Sequence, residues 1–189
     1  MASVRLIKPP RVGDARGWFS ETWSRRAFEA LGIEADFRQD NHSYSAPRHV
    51  LRGLHFQRPP SGQAKLVRCV RGAIWDVAVD VRAGSPTFGR FVAARLDAEN
   101  GAQLYIPIGF AHGLLTLEPH TEVLYKVTAF YDPAADSGLA WDDPDFGIPW
   151  PLEGATPVLS AKDAALPRSK DFESPFPYDG QPLAELEGA

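Results

Sequence analysis

The chain has 189 residues, of which 44% are hydrophobic and 11% aromatic, enough to fill the core of a single domain. Its formal net charge of -4 gives no reason to expect a nucleic acid or an anionic membrane as partner, so an anionic ligand must meet locally placed arginines and lysines. One cysteine, Cys69, excludes an intramolecular disulfide framework. No segment approaches the roughly 20 apolar residues that span a bilayer, and the first ten residues lack an apolar signal core, so we expect a cytoplasmic protein.

The first predicted element is a short helix over Ser24 to Leu31. Ser24 is placed to cap it, and Gly32 is placed to end it. Upstream, Gly17 indicates a turn that leads into a strand. The helix is too short to define the fold.

The middle of the chain predicts a β-sandwich or barrel. Val, Ile, Tyr, Phe and Trp dominate short runs that are separated by turn residues. The predicted strands are Ala64–Val70, Ala73–Val81, Arg90–Leu96, Gln103–Ile106, Leu114–Leu117 and Val123–Phe130.

After Tyr131 the composition shifts to Pro, Asp and Gly, which predicts a segment that wraps the barrel instead of forming a second domain. One helical turn is expected around Lys162 to Ala165, and fraying from about Asp179. Residues 1–189 are therefore predicted to form a single domain.

Two segments set a histidine beside strand-like sequence: Arg52–Gln57 contains His55, and Pro107–Gly113 contains His112. A half-buried imidazole needs a hydrogen-bond partner, and a carboxylate would hold its tautomer and raise its basicity. Taken alone, each histidine is more often structural than catalytic.

Other candidate residues also have a structural and a chemical interpretation. Tyr125 is either a core-lining aromatic or a proton donor, and Lys65 either reaches solvent or stabilises an oxyanion. Arg16 and Arg52 are surface residues by default, but arginine forks suit a diphosphate. Asp163 is interpreted first as part of a helical turn capped by Ser160. Tyr131 is interpreted first as a structural or stacking aromatic residue.

Several segments of unrelated composition follow one another from about residue 10 to 167. They are Asp14…Arg16-Gly17-x-Phe19-x-Glu21, Gln39–Ser45, Leu51–Gln57, Lys65–Arg68, Asp76–Arg82, Gly84–Gly89, Gly109–Gly113, Tyr125–Val127 with Tyr131, and Leu159–Asp163. Together they resemble the dTDP-4-dehydrorhamnose 3,5-epimerase family. The resemblance implies an all-β, cupin-type double-stranded β-helix (jelly roll) with short peripheral helices.

The resemblance also implies an isomerase that needs no redox cofactor. The family inverts C3 and C5 of dTDP-4-dehydro-6-deoxy-D-glucose, and both carbons adjoin the C4 carbonyl, so that each proton can leave to give an enolate. By this similarity His55 is the base, and Asp163 is the carboxylate bound to it. Tyr125 is the acid on the opposite face, and Lys65 stabilises the enolate oxygen.

For the nucleotide, the resemblance assigns the arginines to the diphosphate, and Phe19 and Glu21 to the thymine end. His112 is expected to support the pocket and Tyr131 to touch the ligand. In the family the N-terminal strand crosses to the partner subunit, which predicts a homodimer. The residues assigned to binding are Arg16, Phe19, Glu21, Gln39, Asn41, Arg52, His112 and Tyr131.

One departure from the wider cupin pattern argues against a metal site. Metal-binding cupins have a second histidine where this chain has Gln57, although Pro107-x-Gly109-x-x-His112 resembles their second motif. Three alternatives stay open. The first is a related epimerase that acts on C3 or C5 only or uses another 4-keto sugar, the second is a metal-dependent dioxygenase using His55, His112 and a carboxylate, and the third is a non-catalytic sugar-nucleotide-binding protein.

Overall fold

Two antiparallel five-stranded sheets form the protein in the computed structural model, which describes residues 3–186. Their strands are β1 (Arg5–Ile7), β4 (Gln39–Ser45), β5 (Leu51–Gln57), β6 (Lys65–Arg71), β7 (Ala73–Asp80), β8 (Phe91–Asp97), β9 (Gln103–Ile106), β10 (Phe110–Thr116), β11 (Thr121–Val127) and β12 (Asp136–Gly138). Sheet 1 has the order β1-β9-β6-β11-β4, and sheet 2 has the order β12-β5-β10-β7-β8. A separate hairpin pairs β2 (Val12–Asp14) with β3 (Gly17–Phe19). The all-β jelly-roll prediction is confirmed.

The main hydrophobic core lies between the two sheets. Val67 and Leu104 enter it from sheet 1, and Ile74, Leu96 and Leu114 enter it from sheet 2. Cys69 is buried in the same cluster. Burial raises the pKa of the Cys69 thiol to about 12, so the thiol stays protonated and unreactive.

All six predicted strands are present; the strand Gln103–Ile106 has the predicted bounds, and the other five have shifted ends. The strand predicted at Leu114–Leu117 already begins at Phe110, so that His112 lies inside a strand and not at its border. The strand predicted over Val123–Phe130 ends at Val127. The prediction missed β4 and β5, since β4 is polar on both faces and β5 is interrupted by Arg52, Gly53 and His55.

Gly53 allows β5 to lie very close to β10. Its φ of 132° is in the region that favours glycine, and a Cβ atom there would come within 2.5 Å of the Gly113 Cα atom. This close approach sets His55 opposite His112 in the strand register.

Both short helices occur where the sequence predicts them. Helix α1 spans Arg25–Ala30 and is followed by Gly32 at φ 73°, as expected. The predicted Ser24 cap is wrong, because the Ser24 hydroxyl donates to Glu21 instead. Helix α2 spans Ala161–Ala164 and is capped by Ser160, which accepts the backbone N–H of Asp163. No helix within residues 3–186 is long and apolar enough to cross a membrane.

The C-terminal segment follows the outside of the barrel. Val158 and Pro177 form isolated parallel bridges with Val50 and Ala83, and Phe176 is buried in a cluster on sheet 2. Fraying was expected from about Asp179. In the structure the Asp179 carboxylate accepts from Arg82 at 2.7 Å, and the backbone N–H of Leu183 donates to Thr87. The last three residues of this tail, 187–189, lie outside the described part of the chain.

Candidate active site

A cavity of about 360 Å³ opens between the two sheets and gathers side chains from both. Six predicted site residues line it: Gln39, Asn41, His55, Lys65, Tyr125 and Tyr131. Five other residues complete the lining: Phe56, Gln57, Gln63, Asp136 and Lys162. A larger groove of about 790 Å³ runs along the N-terminal strand and α1, but of the predicted site residues only Glu21 lines it. We therefore place the chemistry in the smaller cavity.

His55 and Asp163 form a hydrogen-bonded dyad at one wall of the cavity. The His55 Nε2 atom lies against Asp163 Oδ1, although the two residues are 108 positions apart in the chain. Ser160 donates its hydroxyl to the other carboxylate oxygen at 2.7 Å. Burial favours the neutral acid, but the hydrogen bonds from His55 and Ser160 outweigh it and hold the pKa of Asp163 below its ordinary 3.8. A carboxylate therefore faces the imidazole.

Tyr125 belongs to β11 of sheet 1, whereas His55 belongs to β5 of sheet 2. A base and a phenol consequently line one cavity from opposite sheets. Burial raises the pKa of Tyr125 above its ordinary 10, against the opposing effect of Arg52. The phenol stays protonated at neutral pH and is able to donate a proton.

Lys65 is a buried cation at the start of β6. Its side chain is 8% exposed, and its ammonium group donates to the His55 backbone carbonyl at 3.4 Å. Burial lowers the pKa of Lys65 to about 8, and attraction to Asp76 and Asp136 limits the decrease. A largely protonated ammonium at neutral pH thus lines the cavity in a weakly solvated setting.

His112 lies beneath the cavity and is not in its lining. Its Nε2 atom is 2.7 Å from Asp76 Oδ1, and Asp76 is fully buried. Burial lowers the pKa of His112 below its ordinary 6.5, although Asp76 opposes this effect. Within residues 3–186 the second oxygen of Asp76 has no hydrogen-bond partner. These contacts suit the supporting role expected for His112.

Tyr131 lies on the rim of the cavity, in the turn that follows β11 and four residues after its end at Val127. Its hydroxyl donates to Asp136 at 3.0 Å, and its backbone N–H donates to Gln39 at 3.0 Å. Lys162 forms an ion pair with the same Asp136 carboxylate. Asp136 and Lys162 were not among the predicted site residues, and the one signal that could have pointed to Lys162 is its place next to Asp163.

Arg52 lies next to the cavity but is not in its lining. Its Nη2 atom donates to the Tyr44 carbonyl and the Ser45 hydroxyl, each at 3.3 Å. In the described part of the chain its buried Nε atom has no hydrogen-bond partner. No carboxylate among residues 3–186 forms an ion pair with it. Such a guanidinium has donors left for an anionic ligand.

The structure does not bring the N-terminal candidates to the cavity of their own chain. Arg16 is paired with Asp14 at the tip of the β2–β3 hairpin, with 90% of its side chain exposed. Phe19 is 73% exposed at the end of β3. Glu21 accepts from Ser24 beside the N-terminal groove.

The donor arrangement at the cavity does not match a metal centre. His55 and His112 face each other in the register, but each Nε2 atom lies against a different carboxylate. Over the described range 3–186, no group of three or more His, Cys, Asp or Glu side chains is placed to hold a metal ion.

Comparison with known proteins identifies relatives over nearly the whole chain. A sequence model of the dTDP-4-dehydrorhamnose 3,5-epimerase family matches residues 1–171. The dTDP-4-dehydrorhamnose 3,5-epimerase of Sinorhizobium fredii is 51% identical over 178 residues, covering 94% of this chain and 91% of that protein.

Solved structures of related proteins share the fold, as two examples show. The Bacillus anthracis dTDP-4-dehydrorhamnose 3,5-epimerase with TDP and PPi bound has a TM-score of 0.84 and 48% identity, covering 86% of this chain and 92% of that one. The Legionella pneumophila dTDP-6-deoxy-D-glucose-3,5-epimerase in complex with dTDP-4-keto-L-rhamnose has a TM-score of 0.84 and 43% identity, covering 89% and 88%. By its sequence and its fold, this chain belongs to the dTDP-4-dehydrorhamnose 3,5-epimerase family.

Proposed function

We propose that the chain epimerises C3 and C5 of dTDP-4-dehydro-6-deoxy-D-glucose, giving dTDP-4-dehydro-L-rhamnose for dTDP-L-rhamnose synthesis. Family membership supports the reaction class. The observation that carries the proposal is the cavity itself, which His55 lines from sheet 2 and Tyr125 lines from sheet 1. Asp163 of α2 holds the imidazole, and the buried Lys65 of β6 reaches across to the His55 carbonyl. No redox cofactor takes part. A single domain over 1–189 and a cytoplasmic location stay predictions.

In this mechanism His55 removes a proton from the carbon next to the C4 carbonyl. Since Asp163 holds the Nε2 atom of His55, the proton goes to Nδ1. The C–H electron pair then forms the enolate double bond, and the carbonyl π pair moves to the oxygen. The Lys65 ammonium stabilises that oxygen. Tyr125 then donates its phenolic proton to the opposite face of the carbon, the carbonyl re-forms, and proton transfer through solvent restores His55 and Tyr125.

The same proposal assigns the nucleotide to the rim of the cavity. The Arg52 guanidinium, which forms no ion pair among residues 3–186, suits the diphosphate, and the exposed ring of Tyr131 suits stacking on a flat base. Gln39 and Asn41 are hydrogen-bonded to each other at 2.9 Å within the lining, where their remaining polar groups can meet the ligand.

We further propose a homodimer in which the β2–β3 hairpin completes the pocket of the neighbouring subunit. The hairpin presents Trp18 (59% exposed) and Phe19 (73% exposed) with no partner among residues 3–186 to bury them, apart from the Arg11 guanidinium over Trp18. In one chain the hairpin residue Arg16 is also remote from the cavity. A second copy would cover the apolar side chains and receive Arg16, Phe19 and Glu21.

The reaction is tested by incubation with dTDP-4-dehydro-6-deoxy-D-glucose in D2O, following C3 and C5 by NMR. We expect deuterium at both carbons, and an L-rhamnose nucleotide after coupling to a reductase. His55→Asn should abolish exchange but spare dTDP binding, whereas His120→Asn, in an exposed turn, should leave the rate unchanged. Exchange at one carbon would indicate a single-site epimerase, and no exchange would refute the assignment.

Strand exchange is tested by mixing two inactive variants. An Arg16→Ala subunit keeps His55, and a His55→Asn subunit keeps Arg16, so a mixed dimer regains one intact pocket only if the hairpin acts on its neighbour. Random re-association should restore about a quarter of the wild-type activity, since about half of the dimers are mixed and each has one good pocket. No gain on mixing would place Arg16 in its own subunit's pocket or outside any pocket.

A further inference from the structure

We propose that Gln57 is a positioning residue that fixes the turn carrying Tyr131 and so prepares the cavity rim for a flat nucleotide base. The inference rests on the proposed function, because it takes Tyr131 to contact the ligand. Gln57 is 3% exposed and lies two residues after His55, at the last position of β5. It occupies the place where metal-binding cupins have their second histidine.

The Gln57 side-chain amide is fully engaged by backbone groups. Its Oε1 atom accepts the N–H of Asp132 at 2.9 Å, and its Nε2 atom donates to the carbonyls of Phe130 at 3.2 Å and Ser61 at 2.7 Å. The two carbonyls require the NH2 group and the N–H requires the oxygen, so the partners define the amide's orientation. Both N–H donors are used, and Gln57 has none left for a ligand.

These bonds hold the backbone on both sides of Tyr131. Gln57 binds the Phe130 carbonyl before Tyr131 and the Asp132 N–H after it. The Gln39 side chain accepts the N–H of Tyr131 itself. Phe130 and Tyr131 nevertheless expose 65% and 56% of their surface. An exposed ring on a fixed backbone is prepared for stacking, because little entropy remains to be lost when a ligand binds.

Glutamine is the residue whose length and polarity fit this position. Asparagine is one methylene shorter, and glutamate brings a second oxygen where two carbonyls already face the side chain. An apolar side chain leaves three partly buried backbone groups without this partner. The serine hydroxyl of Ser61 also donates to the Asp132 carboxylate at 2.7 Å, so that β5, the Ser61 turn and the Tyr131 turn form one hydrogen-bonded unit.

The main test uses Gln57→Met, which keeps the volume but not the hydrogen bonds. In the ligand-free protein we expect amide hydrogen exchange at Asp132 to rise about tenfold or more, because its N–H loses the Gln57 acceptor. Exchange at Tyr131, whose N–H bonds to Gln39, should rise as well, because the turn is then held at fewer points. We expect the Kd for dTDP to rise about tenfold, because the Tyr131 turn must then be ordered when the ligand binds. The kcat should stay within about threefold of the wild-type value. Unchanged exchange rates would overturn the proposal.

A double-mutant cycle with Tyr131→Ala separates positioning from general stability. If Gln57 acts through Tyr131, the doubly substituted protein binds dTDP no more weakly than Tyr131→Ala alone. Additive losses would refute the coupling. Thr87→Val is the control, because it removes a hydroxyl that bonds Asp80 and the Leu183 N–H far from the cavity and should leave the Kd for dTDP unchanged.

Gln57→Glu keeps the proposal testable if Gln57→Met fails to fold. When protonated, the introduced carboxyl donates to one of the two carbonyls, and when ionised it opposes both. The Kd of this variant for dTDP should therefore fall as the pH is lowered, relative to the wild-type protein, and a parallel pH profile would contradict the inference. Failure of the epimerase assignment is recognised separately, since the wild-type protein would then show no deuterium exchange in the sugar.

Discussion

Lys65→Met should make the enzyme more stable and much slower. Lowering the pKa of Lys65 from 10.5 to about 8 corresponds to about 3 kcal/mol of unfavourable free energy for the buried ammonium, at 1.36 kcal/mol per pKa unit. Methionine has a similar length and no charge, so we expect up to about 3 kcal/mol of added stability at pH 7. Loss of the enolate-stabilising cation should lower kcat roughly 10²–10³-fold.

The pH dependence of stability provides an internal check. Because the pKa of Lys65 is lower in the folded protein, the unfolded chain binds more protons between pH 8 and 10.5, and wild-type stability rises across that window. The Lys65→Met protein lacks this rise. The gain in the free energy of unfolding of Lys65→Met over wild type should be greatest near pH 7 and should decrease toward pH 10.

Urea unfolding of the wild-type and Lys65→Met proteins at pH 7 and pH 10 measures both effects. All samples need the same protein concentration, since the stability of a dimer depends on it. Lys170→Met is the matched control, because Lys170 is 72% exposed and should change stability by less than about 0.5 kcal/mol. A Lys65→Met protein that is less stable than wild type at pH 7 would refute the reasoning.

Further predictions concern three residues of the site and the buried cysteine. The wild-type kcat should fall as the pH rises above about 8, because Lys65 then loses its proton, and Lys65→Met should lack this limb in a pH–rate profile. Asp163→Asn should lower deuterium incorporation roughly 10²–10⁴-fold, since the imidazole loses the carboxylate that orients it; a near-wild-type rate would contradict the dyad. Tyr125→Phe should still exchange substrate hydrogen for deuterium through His55 but should invert the carbon slowly, so NMR should show faster exchange than inversion. Equal slowing of both rates would place Tyr125 outside the reprotonation step. Native Cys69, with its pKa raised to about 12, should resist a thiol reagent at pH 8 and react only after denaturation; rapid labelling of the folded protein would show that it is accessible.

Local patterns predicted the parts of the structure that depend on neighbouring residues. The apolar run from Ala73 predicted β7 because a strand covered on both faces is hydrophobic throughout. The Ser160–Asp163 spacing predicted the capped turn of α2, since a hydroxyl reaches an N–H three residues ahead. The ordered motifs of the chain, compared with a known family, supplied the fold and the reaction.

The polar strand β4 shows where such patterns fail. Its residues Gln39–Ser45 have no apolar alternation, because one face meets the cavity and the other meets solvent. Only pairing with β11 makes it a strand. The end of β11 is a second case. Its aromatic residues predicted a strand as far as Phe130, but the strand ends at Val127, and Gln57 and Gln39 hold the following residues in a turn.

The order of residues sets which side chains are available for chemistry, whereas the long-range contacts of the fold set which of them meet. His55 and Asp163 are 108 residues apart, and they come together because α2 packs behind β5. Asp136 and Lys162 reach the cavity through the same folding of the C-terminal segment. Strand periodicity and helix caps are local, whereas a pocket depends on sheet register and on long-range contacts that no short segment specifies.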